Sequence, residues 1–203
     1  MKTYGPTSER KIPNQQGIYA FFINSITLEK IGLLGKGPFS EELLLNAKRN
    51  LKIKARNMAE LTKLNKLEGQ LIENNKENTS VKIDLTGFET STNSLSDLIS
   101  DCKLESIYSL VELISSTSLF NRPIYVGITK KQTLQRRYSQ HKNDFMNKTD
   151  KESFGKRLRD LNFDWDDILF SCTPFPHSSS QIEVLNDLEK YMMFMSKPFL
   201  SIK

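Results

Sequence analysis

The stretch that most limits what this chain can fold into is Ile124–Lys142, IYVGITKKQTLQRRYSQHK. Its opening, Ile124–Gly127, reads as a short buried strand. A polar turn follows, and then a run with helical spacing that carries Arg136, Arg137 and His141. Arg137 and His141 are four residues apart, so a helix sets both side chains on one face, a turn from each other. A strand that ends in glycine lets a ligand or another backbone come close. A guanidinium beyond it offers planar donors that match phosphate oxygens. Strand, tight turn and cationic helix together predict a phosphate-holding corner.

Charge supports an anionic partner. The net charge is +5, with a sequence pI near 9.1, and the cations are concentrated. Lys130 through Asp160 holds ten Lys/Arg against four Asp/Glu, and Lys48 through Lys66 holds seven against Glu60. Nucleic acid is the simplest partner for such a distribution. Cys102 and Cys172 match no metal-ligand spacing and are expected to be reduced, packed thiols of a cytoplasmic protein. The first residues, MKTYGPTSERK, lack the apolar run of a signal peptide, and no stretch reads as a membrane span.

Two further stretches share the pattern of the central one. Gly17–Ile23 (GIYAFFI) reads as a strand opening with Gly-Ile-Tyr, after a polar, loop-like segment 1–16. Gln181–Ser196 reads as a helix, with Ile182, Leu185, Leu188, Met192 and Met195 at helical spacing and Glu189 among them, ahead of Pro198. The order GIY, YVG, R-x-x-x-H and helical glutamate before proline resembles the GIY-YIG nuclease family, over 12–23 and 121–203. Valine replaces the isoleucine of the second tripeptide.

That resemblance implies an α+β fold: a small three-stranded antiparallel sheet flanked by helices. Its strands would be Gly17–Ile23, Ile124–Gly127 and Ile168–Thr173. It implies a core at 12–30 and 121–203, with a long, mainly helical insertion at 38–120 in place of the family's usual short link. Within the insertion, Ser40 to about Leu71 reads as one long helix. Val81–Leu85 reads as a strand and 94–116 as a second helix; the turn-rich Asn24–Gly37 is a place for a further short strand.

The resemblance also implies the chemistry: a metal-dependent endonuclease cutting DNA phosphodiester bonds. Glu189 would hold one divalent ion, Mg2+ or Mn2+, with Glu183 the next candidate on the same helix. Tyr19 would orient or deprotonate the attacking water, although an unperturbed phenol titrates at about 10 and needs help to do so. Tyr125 would bind a phosphate oxygen or join the proton relay. Arg137 would neutralise charge building on the phosphate, and His141 would carry a proton. Lys130, Lys131 and Arg136 near the motif, and Lys48, Arg49, Lys52 and Arg56 on the long helix, are the expected nucleic-acid contacts. For the long helix a solvated polar face is an equal alternative. Two positions depart from the pattern: Ile128 stands where lysine often follows the second tripeptide, and Ser201 where the family has asparagine. His177 lies outside every motif.

With no further domain expected after Pro198, specificity would come from the insertion or from a homodimer on double-stranded DNA, as in the restriction-endonuclease branch. The alternatives are a phage or mobile-element nuclease of loose specificity, a nucleic-acid-binding module that has lost catalysis, or an assembly protein built on a coiled coil.

Overall fold

The computed structural model describes residues 1–63, 67–71, 79–83, 90–117, 121–148, 152–175, 182–196 and 198; for 59–63, 67–71, 79–83, 90–94 and 182–186 it describes the backbone alone. The fold is α+β, with six strands and seven α-helices among these residues. They group into two compact units, 1–27 with 111–203 and 28–110. No helix among the described residues is long and apolar enough to cross a membrane.

The first unit is built on a four-stranded antiparallel sheet in the order β1-β6-β2-β5. Its inner strands are β2 (Gly17–Ile23) and β6 (Ile168–Pro174), and β5 (Tyr125–Ile128) lies on one edge. The fourth strand is β1 (Lys2–Tyr4), paired with β6 through Tyr4↔Phe170 and Lys2↔Cys172. The polar segment 1–16 is therefore not a plain loop. A three-residue edge strand has no room to show alternation, and its register comes from its neighbour, helped by a Thr3 Oγ1–Ser171 Oγ hydrogen bond of 2.7 Å.

β2 is buried along nearly its whole length, so its sequence is continuously apolar rather than alternating. Successive side chains go to opposite faces. Tyr19 and Phe21 both meet Phe170, and Phe21 also meets the rings of Tyr138, Phe154 and Trp165, with Phe21–Phe154 centroids 4.7 Å apart. Ala20 and Phe22 pack with Val126, Leu169 and Met192 on the other face. The first face is covered by α5 (Leu134–Met146), α6 (Phe154–Asp160) and the 3-10 turn Trp165–Asp167; the second takes Met192 of α7 (Ile182–Ser196).

Local chemistry fixes these helices. Thr133 caps α5, its hydroxyl accepting from Arg136 N at 3.3 Å, and Ser153 caps α6 through Lys156 N at 3.1 Å. Arg159 Nη1 donates to the Asp144 and Phe145 carbonyls near the end of α5, at 2.9 and 2.6 Å. Trp165 Nε1 donates to Tyr138 Oη at 3.0 Å, tying the 3-10 turn to α5.

In the second unit, α1 (Leu28–Ile31) occupies the turn-rich region where a short strand was expected. α2 spans Glu41–Lys63 and buries Ala47, Leu51 and Ala55 at four-residue steps. It ends well before Leu71, because Leu67–Leu71 is strand β3, paired antiparallel with β4 (Thr79–Ile83) in a hairpin. The strand expected at Val81–Leu85 lies two residues earlier; 84–85 fall outside the described residues. The helix expected at 94–116 is two, α3 (Thr90–Asp101) and α4 (Ile107–Ser116). At the break, Lys48 Nζ donates to the Ser100 and Cys102 carbonyls at 2.9 and 2.6 Å, so the freed acceptors are satisfied from α2.

Candidate active site

The register of β2 on β5 sets Tyr19 opposite Gly127 and Phe21 opposite Tyr125. Tyr19, Phe21 and Tyr125 therefore share the face under α5. Both motif glycines are required by close approach. A Cβ on Gly127 would lie 2.5 Å from Tyr19 Oη and 2.6 Å from Cζ, inside the phenol. A Cβ on Gly17 would strike the Thr173 carbonyl and sit 2.8 Å from Leu134 Cδ1. Each glycine leaves the space into which a neighbouring strand or side chain closes. The ends of β2 and β5 are also pinned by Thr129, whose buried hydroxyl accepts from Gly17 N at 2.8 Å.

Four of the expected catalytic residues come together. Arg137 Nε donates to Tyr19 Oη at 3.0 Å, and Tyr19 Oη lies 3.1 Å from His141 Nε2. The Tyr125 ring is 6.0 Å from that of Tyr19, centroid to centroid, and 5.3 Å from that of His141. Gln140, which the sequence did not single out, accepts from Arg137 Nη1 at 2.7 Å and holds the guanidinium from its other side. Its signal was available, since it stands three residues after Arg137 on the same helix.

The depth of these groups differs. Tyr19 is 1% exposed and His141 4%, whereas Tyr125 and Arg137 are half-buried. Burial, with the neighbouring Tyr125, raises the Tyr19 phenol well above its ordinary 10.0. Burial, with Arg137 and Arg157 nearby, pushes His141 down to about 3. Both groups are therefore neutral at physiological pH, and the Nδ1 atom of His141 is buried without a hydrogen-bond partner among the described residues. Burial also pushes the Cys172 thiol, one strand over, up to about 11.

Glu189 stands on α7 and pairs with Lys130, Nζ to Oε2 3.0 Å, both part-buried. Lys130 follows β5 by two residues, which brings the glutamate to the strand end where Gly127 receives Tyr19. No cluster of three or more potential metal ligands occurs among the described residues. The side chain of Glu183, together with His177 and Ser201, lies outside the described residues.

Of the expected nucleic-acid contacts, Lys131 and Arg136 are exposed beside the cluster, and Lys130 is engaged by Glu189. Arg49, Lys52 and Arg56 form an exposed row on α2, while Lys48 from the same group is used on the Ser100 and Cys102 carbonyls at the end of α3. No family model matches the chain, and neither a curated protein nor a solved structure shows similarity to it.

Proposed function

We propose that the chain is a metal-dependent endonuclease with the GIY-YIG fold, hydrolysing DNA phosphodiester bonds. The observation that carries this reading is the contact network that joins residues distant in sequence beside the paired motif strands. Tyr19, Tyr125, Arg137 and His141 form a single contact network, and Lys130 draws Glu189 to the same strand. The antiparallel pairing of the GIY strand with the YVG strand supports the finer fold assignment.

Glu189 fits the role of ion holder for Mg2+ or Mn2+. A hard ion that keeps most of its water needs only one or two protein carboxylates, and Glu189 is an accessible one. Such an ion, when bound, supplies Lewis-acid stabilisation of charge on the phosphate oxygens. Lys130 holds the carboxylate in place until then. Arg137 and Tyr125, half-buried, are the groups that reach the phosphate. Arg137 meets the negative charge that grows in the transition state, and the Tyr125 hydroxyl donates to a phosphate oxygen. Tyr19 and His141 work from beneath. The phenol oxygen anchors Arg137 Nε, and the imidazole fixes the phenol, so the guanidinium is preorganised. Two copies related by a twofold axis would cut both strands of a palindromic site, as a restriction enzyme does.

One observation favours a second reading. Tyr19 and His141 are both buried and neutral, which also suits a DNA-binding module that keeps the cluster for packing. Incubating the protein with plasmid and phage DNA in Mg2+, in chelator, and as Glu189→Ala separates the two. Discrete metal-dependent fragments, lost in the variant, are the expected result. Binding without any cleavage overturns the nuclease reading, and so does cleavage that survives Glu189→Ala.

A further inference from the structure

The outer side of α5, turned away from His141, borders a cavity of about 870 Å3. Its second wall is the N-terminal segment around the 3-10 turn Glu9–Lys11. The wall is latched at one residue. The Glu9 carboxylate accepts from Ser139 Oγ at 2.5 Å and from Lys142 Nζ at 3.0 Å, and its carbonyl accepts from Gln135 Nε2 at 3.3 Å. The Ser139 hydroxyl bond, with Lys142, holds Glu9 below its ordinary carboxylate range, so it stays charged and engaged.

The other charged residues of the lining are cationic, among neutral polar ones such as Asn14 and Gln132. Arg10 and Lys11 lie on the turn, Lys131 in the segment before α5 and Arg136 in its first turn. All four are exposed, and none has a side-chain ion pair or hydrogen bond among the described residues. Among the described residues the only carboxylate lining the cavity is Glu9, already paired with Lys142. Four such cations on the two walls of an open groove suit a polymer of phosphates, whose charges recur along its length. The first amides of α5 are not the attraction, since Leu134 N and Gln135 N are bonded to the Gln15 and Pro13 carbonyls.

We propose that this groove holds the DNA phosphate backbone, with Arg10 and Lys11 on one wall and Lys131 and Arg136 on the other. The proposal rests on the nuclease reading for its choice of DNA as the polyanion. Arg136 and Arg137 are consecutive and turn to different sides of α5, so one helix presents both the backbone track and the candidate catalytic arginine. The contacts reach phosphates only, so they position the duplex without reading its sequence.

The test is fluorescence anisotropy of a labelled duplex of arbitrary sequence in chelator, titrated between 50 and 200 mM NaCl. The variants are Arg10→Gln/Lys11→Gln, Lys131→Gln/Arg136→Gln, and the control Lys2→Gln/Lys103→Gln, which removes two exposed cations that do not line the groove. Each phosphate contact contributes about 0.9 to the slope of log K against log salt. Each groove pair is therefore expected to lower the slope by about 1.8. Between the two salt concentrations the wild type would lose about twelvefold more affinity than either groove variant. The control pair is expected to leave the slope near wild type. Equal slope changes in the control and groove pairs overturn the proposal, as does an unchanged slope in the groove variants or a wild type that binds no DNA. A slope that falls as expected in a protein that never cuts DNA with Mg2+ leaves the groove standing and removes the nuclease. Cleavage with an unchanged slope does the reverse.

Discussion

Gly127→Ala tests whether the space beside the second motif glycine is what sets the Tyr19 phenol in place. The added methyl would lie 2.5, 2.6 and 3.0 Å from Tyr19 Oη, Cζ and Cε1. Comfortable contact begins at about 3.5 Å, so the ring must retreat by about 1 Å. It has little freedom to do so, because Phe21, Tyr125, His141 and Phe170 surround it with centroids 5.6 to 6.0 Å away. Overpacking of this kind costs about 1–3 kcal/mol. Displacing the hydroxyl also weakens its bonds to Arg137 and His141, each worth about 1 kcal/mol.

The expected destabilisation is thus about 2–5 kcal/mol. For a chain of 203 residues that corresponds to a fall in Tm of about 5–15 °C. The assay is thermal unfolding followed by circular dichroism, run as a double-mutant cycle with Tyr19→Ala. Removing the ring removes the clash, so Gly127→Ala should cost about 1–3 kcal/mol less in the Tyr19→Ala background. A Tm within 2 °C of wild type (about 1 kcal/mol or less) refutes the close approach. Simple additivity of the two substitutions refutes the claim that Gly127 acts through Tyr19.

Two further perturbations address charge. His141 titrates at about 3 when folded and near 6.5 when unfolded, so the unfolded chain binds the extra proton as pH falls below 6.5. Its contribution is fully present above 6.5 and is lost on acidification, reaching about 2 kcal/mol at pH 5 relative to pH 8. Urea midpoints at the two pH values should show that loss in the wild type and a much flatter response in His141→Gln; parallel slopes would contradict the burial argument. Lys48→Met keeps the aliphatic stem but removes both bonds to the Ser100 and Cys102 carbonyls, and is expected to cost about 1–2 kcal/mol by urea unfolding. The exposed neighbour Arg49→Gln should stay within about 0.5 kcal/mol, and equal effects would deny Lys48 its capping role.

The inner strands and the motif helix were legible in the sequence because their signals are local and redundant. Five of the seven residues of GIYAFFI are β-branched or aromatic, and Thr133 stands where a helix cap is needed. β1 was not legible, since KTY carries no period and becomes a strand only by lying against Phe170 and its neighbours. Gly69 was a local warning that the Ser40 helix does not run to Leu71; it falls in β3. The break between α3 and α4 depends on Lys48, some fifty residues away in sequence, so no local pattern announces it. The site residues were legible by type and spacing, but not by depth. Nothing in GIY or R-x-x-x-H says that Tyr19 and His141 end up beneath the surface while Arg137 and Tyr125 remain at it.

That difference in depth decides how the cluster can work. A guanidinium drawn partly out of water loses hydration, and a neutral phenol oxygen at 3.0 Å with the Gln140 oxygen at 2.7 Å replaces part of it without cancelling the charge. A carboxylate in either place would hold Arg137 more tightly but would spend the charge that the phosphate needs. The imidazole follows the same logic. Protonated, it would repel Arg137; neutral, it can accept from the phenol through Nε2 while the phenol accepts from Arg137. Holding His141 uncharged therefore keeps the full cationic field of Arg137 available to an incoming anion. Acidification far enough to protonate His141 should release both the imidazole and the guanidinium from this arrangement together.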